Sequence, residues 1–211
     1  LDEVGEVSCY DFTGFAASPS GSNPGGAFKS VAISKYDGGK RCGVRATGEM
    51  NCWGVSKYAS SYGDPDHSYQ GGSLFKEVAY GTIPCGIRMD DTIECWGESV
   101  GPLAWQTPSG PEIVKNTVPE GTYSGLTTAI SGRVFCALRT DDGRATCWGP
   151  DWTPYSMQDF NEGAPDVSLR AITVGVMFAC GLALDNSVHC WGAPTIEAVT
   201  KMPAMFGSTA N

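Results

Sequence analysis

Short runs of alternating apolar and polar residues recur along the chain, each bounded by Gly, Pro, Asp or Asn. A period of two sends successive side chains to opposite faces of a strand, so the apolar segments 28–33, 74–80, 126–130 and 169–176 are expected to be strands. Further strands follow each of them. In these, Val7, Met50, Ile93, Ala145 and Val188 share a face with a cysteine two residues on, while Tyr10, Trp53, Trp96, Trp148 and Trp191 take the opposite face. The small residues Gly43, Gly86, Ala137 and Gly181 are each followed by a larger one, Val44, Ile87, Leu138 and Leu182. Small on one face and large on the other suits sheets stacked against neighbours on both sides.

The alternation is itself periodic. Cys-Trp-Gly occurs at Cys52, Cys95, Cys147 and Cys190, with a near copy at Cys9-Tyr10-Asp11, and the steps between these cysteines are 43, 43, 52 and 43 residues. A fixed period of this size with strand-like sequence inside each unit marks a propeller or another repeat array. At three or four strands per unit, each unit makes one propeller blade.

A second cysteine precedes each Cys-Trp-Gly: Cys42 before Cys52, Cys85 before Cys95, Cys136 before Cys147 and Cys180 before Cys190. Gly, Asp or Asn stands near the middle of every intervening segment and supplies the positive φ of a tight hairpin. Folding each segment at its centre sets the two cysteines opposite one another on adjacent strands, within disulfide reach. The extra residue between Cys136 and Cys147 fits a longer turn or a bulge. Zinc is the alternative, disfavoured because its ligands come as closely spaced pairs and no histidine accompanies these. Cysteine use on this scale points to an oxidising compartment.

The two ends of the chain read as halves of one more unit. The segment 195–207 aligns with the first half of a blade, Val199 on Val78 and Phe206 on Cys85, and residues 2–10 match the turn and last strand. Together they predict a composite blade closing a five-bladed ring within a single domain over 1–211, which would remove exposed sheet edges. Exchange of the tail with a neighbouring molecule is the alternative. Because Phe206 takes the place of a leading cysteine, Cys9 is expected to be a free or intermolecular thiol.

The stretch Phe135-Cys136-Ala137-Leu138-Arg139-Thr140-Asp141-Asp142-Gly143 followed by Thr146-Cys147-Trp148-Gly149, with its equivalents around Cys42, Cys85 and Cys180, resembles the repeats of the regulator of chromosome condensation superfamily. The likeness is to the cysteine-rich secreted branch found in the ectodomains of crinkly-type plant receptor kinases. It implies a β-propeller and an extracellular setting, and leaves the activity open, since the superfamily's functions range widely.

Composition narrows the partners. A net charge of -9 and a pI near 4.6, in a sequence without the clustered Lys and Arg that phosphate binding needs, argue against a nucleic acid partner. The longest apolar stretch, 171–184, is interrupted by Thr173 and Gly175 and too short to span a bilayer, so no membrane insertion is expected. A start at Leu1 without a signal peptide is read as a processed or excised form.

Residues 11–27, 54–73, 97–125 and 149–167, rich in Gly, Pro, Ser and Asp, are expected to be loops. They carry Tyr58, Tyr62, Tyr69, Trp105, Trp152 and Tyr155, candidate binding residues that would stack on sugars or anchor a protein, or else cover blade ends.

Catalytic groups are scarce. His67 lies in an Asp-Pro-Asp-His-Ser loop, but sequence neighbours rarely form a triad in space. His189 falls in a polar strand slot shared with Ser8, Asn51, Glu94 and Thr146. The pairs Asp90-Asp91 and Asp141-Asp142 read as turn formers rather than calcium ligands. The expectation is a secreted, non-catalytic module without cofactor or metal, binding a protein partner or its own copies. A lectin-like glycan binder and a five-bladed glycosidase are the alternatives.

Overall fold

A computed structural model describes residues 10–13, 16–19, 25–34, 39–54, 69–97, 117–129, 132–149 and 157–193. Twelve of its strands form four three-stranded antiparallel sheets, and a fifth sheet is a separate hairpin of β1 (Tyr10–Thr13) and β2 (Ala16–Pro19). Blade one comprises β3 (Phe28–Ile33), β4 (Arg41–Arg45) and β5 (Met50–Trp53). Blade two comprises β6 (Phe75–Tyr80), β7 (Pro84–Arg88) and β8 (Ile93–Cys95). Blade three is β9 (Tyr123–Thr128), β10 (Phe135–Arg139) and β11 (Ala145–Trp148); blade four is β12 (Leu169–Val174), β13 (Phe178–Ala183) and β14 (Val188–Gly192).

Disulfides join Cys42 to Cys52, Cys85 to Cys95, Cys136 to Cys147 and Cys180 to Cys190, with Cα separations of 4.0–4.1 Å. In every blade the paired cysteines stand directly opposite in the ladder. Each hairpin turns on a residue of positive φ, Gly48 (96°), Asp91 (68°), Gly143 (71°) and Asn186 (70°). Glycine adopts this conformation freely, and Asp and Asn are the side chains that tolerate it best. In blades one, two and four the turn is a β-turn closed by the N–H of that residue donating to the carbonyl three residues back, Arg45, Arg88 or Ala183, while in blade three Gly143 N–H donates to the Arg139 carbonyl four residues back. The residue inserted before Cys147 lengthens this turn and leaves the cysteine register unchanged.

Three cores lie between blades. Blade one offers its sulfur face, Cys42, Val44 and Met50, to Phe75, Val78, Tyr80 and Trp96 of blade two. Cys85, Ile87 and Ile93 meet Tyr123, Phe135, Ala137 and Trp148 of blade three, and Cys136, Leu138 and Cys147 meet Leu169, Val174 and Trp191 of blade four. The small residue in each second strand makes room for the large one that opens the first strand. A Cβ at Gly86 would come within 2.6 Å of Phe75 Cδ1, and one at Gly181 within 2.5 Å of Leu169 Cδ1.

First strands of successive blades touch one another, β3 on β6, β6 on β9 and β9 on β12, so the blades converge along that side. Backbone bonds repeat at these junctions: Phe75 N–H donates to the Gly48 carbonyl (2.8 Å), Tyr123 N–H to Asp91 (2.8 Å) and Leu169 N–H to Gly143 (2.9 Å). Midway along the strands, Ser30 Oγ accepts from Val78 N–H (3.2 Å), and its repeat equivalent Glu77 accepts from Leu126 N–H (3.0 Å). Glu77→Ala would leave that half-buried N–H without its acceptor. The expected loss is about 1–2 kcal/mol, read as a lower chemical-denaturation midpoint, while Glu77→Gln should recover most of it; an unchanged midpoint for the alanine variant would show that Glu77 does not hold the junction.

Three expected loops hold structure. β2 and all of β1 but Tyr10 lie within 11–27, β9 begins at Tyr123 inside 97–125, and the helix α1 (Met157–Glu162) lies within 149–167. Met157, Phe160 and Ala164 pack into the core between blades three and four. Their helical spacing drives the segment onto that core. The turn then sets Asn161 against the outer edge of β11, where its side-chain amide donates to the Cys147 carbonyl and accepts from the Cys147 N–H, each at 2.9 Å. The expected composite blade falls outside the described residues, apart from Tyr10, which pairs with Pro19 in the β1–β2 hairpin.

Candidate functional site

Repetition sets the four hairpin turns on one rim, and carboxylates close those of blades two, three and four. Asp90 accepts from the N–H (3.0 Å) and hydroxyl (2.6 Å) of Thr92, and Asp185 from the N–H (2.8 Å) and hydroxyl (2.6 Å) of Ser187. Asp142 accepts from Arg144 N–H at 2.9 Å, and Asp141 from Arg139 Nε at 3.0 Å. Lys76 forms an ion pair with Asp91. The Asp pairs thus serve the turns, as their position suggested. Among the described residues no group of three His, Cys, Asp or Glu is placed to hold a metal ion.

These bonds stabilise the charged carboxylates. The Thr92 hydroxyl and N–H hold Asp90 below the ordinary carboxylate range, Ser187 does the same for Asp185, and the Arg139 guanidinium brings Asp141 down to about 2. A carboxylate whose folded pKa is depressed adds stability above its unfolded pKa, near 3.8, and loses it as pH falls toward the folded value. The melting temperature is therefore expected to decline from pH 5 to pH 2, and Asp141→Asn should flatten part of that slope; parallel curves for the two proteins would rule out the contribution.

His189 Nε2 lies 2.8 Å from Ser187 Oγ, which also contacts Asp185. The serine therefore sits between acid and imidazole. A nucleophilic triad needs the imidazole in the middle, taking the hydroxyl proton with the acid behind it; here the chain of contacts closes the turn of blade four.

Of the candidate binding aromatics, Tyr58, Tyr62, Trp105, Trp152 and Tyr155 lie outside the described residues, as do His67 and Cys9. Tyr69 is described. Its ring packs edge-on against Phe75 (4.9 Å between centroids) and Trp96 (5.1 Å), and its hydroxyl donates to Glu94 at 3.0 Å and accepts from Ser73 N–H at 3.2 Å. Arg88 donates to the same Glu94 oxygen at 2.8 Å. The ring and hydroxyl of Tyr69 therefore belong to the packing of blade two, a role that a tyrosine in a Gly- and Ser-rich segment does not announce. Nor did sequence reasoning single out Ser30, Glu77 or Asn161, since polar residues on a strand or in a loop give no sign of the backbone group they meet.

No family model matches the sequence, and no curated protein sequence does. Solved structures do match. The ectodomain of the receptor kinase CR4 from the moss Physcomitrella patens is 24% identical, with a TM-score of 0.55, over 82% of this chain and 41% of that one. The CRINKLY WD40 ectodomain of the Arabidopsis thaliana receptor kinase ACR4 is 20% identical, with a TM-score of 0.52, over 79% of this chain and 50% of that one. The chain has the propeller fold of the crinkly-type ectodomains. Human WBSCR16 shares it at 16% identity and a TM-score of 0.52, over 85% of this chain and 50% of that one. The crinkly-type ectodomains are the group that the repeats resemble, and this chain spans half or less of their length.

Proposed function

We propose that the protein is an extracellular, non-catalytic propeller domain that works by binding a protein partner or further copies of itself. The observation that carries this reading is the use made of the repeated polar side chains. Asp90, Asp142 and Asp185 close turns, Glu94 anchors Arg88 and Tyr69, and Ser30 and Glu77 join blades. Groups held in this way build a scaffold whose variable loops are left to make contacts. Four disulfides suit an oxidising, extracellular setting, and two of the structures that share the fold are receptor ectodomains.

Purified, oxidised protein is expected to remain unbound on a broad glycan panel and to turn over no glycoside substrate, while being retained by itself or by an extracellular protein in binding assays. Specific, saturable glycan binding would overturn this reading in favour of a lectin built on Tyr58, Tyr62, Trp105, Trp152 and Tyr155.

A further inference from the structure

Where the first strands converge, a backbone N–H of blades two and three is taken by a side chain of the blade before. Val78 N–H donates to Ser30 Oγ at 3.2 Å. The Glu77 carboxylate accepts from two successive groups, Leu126 N–H at 3.0 Å and Gly125 N–H at 3.4 Å. Each main donor lies three residues after the residue whose N–H joins the preceding turn, Phe75 or Tyr123, and each acceptor two residues after the first residue of its own strand.

The junction between blades three and four repeats the donor without the acceptor. Leu169 N–H joins the turn of blade three, so Ile172 is the equivalent of Val78 and Leu126, and Gly125 stands where Ser30 and Glu77 stand. Glycine offers no side chain, and among the described residues no other side chain accepts from Ile172 N–H. The approach is roomy. A Cβ at Gly125 would meet nothing nearer than Leu138 Cδ1 at 3.8 Å, and Ala171 and Thr173 on either side of Ile172 are exposed.

Charge points the same way. Lys76, at the second position of β6, forms an ion pair with Asp91. Arg170 holds that position in β12, but its turn supplies Asn186, whose neutral side-chain oxygen accepts from the guanidinium. Arg170 is exposed and forms no ion pair among the described residues. A backbone N–H beside an uncompensated cation favours an ionised oxygen, since charge-assisted bonds are roughly twice as strong as neutral ones.

We propose that Ile172 N–H and Arg170, on the inner edge of β12, form a carboxylate-binding site that takes an acidic side chain of the protein partner, as Leu126 N–H takes Glu77. This names the chemistry of one contact and rests on the protein-binding reading above.

Titration of the oxidised full chain with sodium acetate at fixed ionic strength, followed by amide proton–nitrogen correlation spectra, tests the site. The Ile172 amide proton should move downfield and saturate, while those of Val78 and Leu126, whose acceptors are in place, should stay still. Arg170→Gln should weaken the response about tenfold, the loss expected for one charged hydrogen bond. In Glu77→Ala, Leu126 should respond to acetate as Ile172 does. A blocked peptide of alternating Gly and Glu should reproduce the Ile172 shift, and its Gln counterpart should not. An Ile172 amide that stays still in the unaltered protein, or that moves equally with chloride, would overturn the proposal whether or not the variants fold. A stronger response to sulfate than to acetate would overturn the choice of a carboxylate. Equal retention of a protein partner by the unaltered chain and by Arg170→Gln would also overturn the proposal, while leaving the protein-binding function standing.

Discussion

Reducing the four disulfides is expected to unfold the protein at room temperature, with Cys180–Cys190 opening first. Each bond closes a loop of 10 or 11 residues, and the loss of chain entropy in the unfolded state is worth about 2–3 kcal/mol for a loop of that length. Four such bonds amount to about 10 kcal/mol, comparable with the whole net stability of a typical domain, about 5–15 kcal/mol. Access sets the order. Each of the other three bonds has at least one sulfur buried beneath the next blade, that of Cys42, Cys85 or Cys136, while Cys180 and Cys190 are both half-buried, so an attacking thiolate can reach either sulfur of that bond. Titration with a dithiol followed by alkylation and peptide mapping should label Cys180 and Cys190 before the others, and circular dichroism should show loss of the fold once the rest are reduced. Random labelling would remove burial as the cause of the order, and an undiminished melting temperature after full reduction would show that the inter-blade cores suffice alone.

Phe75→Ala is expected to be the most damaging single core substitution. The ring is fully buried. It lies over Gly86, whose missing Cβ makes room for it, and packs against Trp96 at 5.4 Å and Tyr69 at 4.9 Å between centroids. Truncation leaves a cavity that a flat, Gly-backed sheet has no side chain to fill, and Phe-to-Ala changes at such sites cost about 3–5 kcal/mol. For a domain of this size each kcal/mol lowers the melting temperature by about 2–4 °C, so a fall of about 10 °C or more should be seen by scanning calorimetry. A fall of only one or two degrees would mean that blades one and two are not coupled through this ring. Gly86→Val tests the same contact from the other side, since a Cβ there meets Phe75 Cδ1 at 2.6 Å; overpacking of this kind costs about 1–3 kcal/mol.

The repeat made much of the architecture legible. Cys-Trp-Gly at a nearly constant step marked the third strand of each blade, and residues 28–33 were recognised as a strand over the range β3 occupies. The cysteine pairings followed from a purely local cause, because a hairpin folded at its Gly, Asp or Asn brings positions ten or eleven apart into register whatever surrounds it. Alternation likewise separated the sulfur face of each blade from its tryptophan face, as the three inter-blade cores show.

Other features were decided only when the blades came together. Residues 157–162 read as loop because a six-residue helix carries little signal of its own, and the core between blades three and four is what holds Met157 and Phe160 in place. Tyr69 read as a loop aromatic that would either bind a partner or cover a blade end, and only the fold shows its ring captured by Phe75 and Trp96 and its hydroxyl by Glu94, residues up to 27 positions away in sequence. Ser30 and Glu77 acquired their role from the N–H groups of the following blade, 48 and 49 residues on. The exposure of Val31 and Ile33 against the burial of Val78 and Tyr80 is the clearest case. These pairs occupy the same place in the repeat and have the same local sequence character, so sequence determines the face each side chain takes, and only the presence of a neighbouring blade determines whether that face is covered.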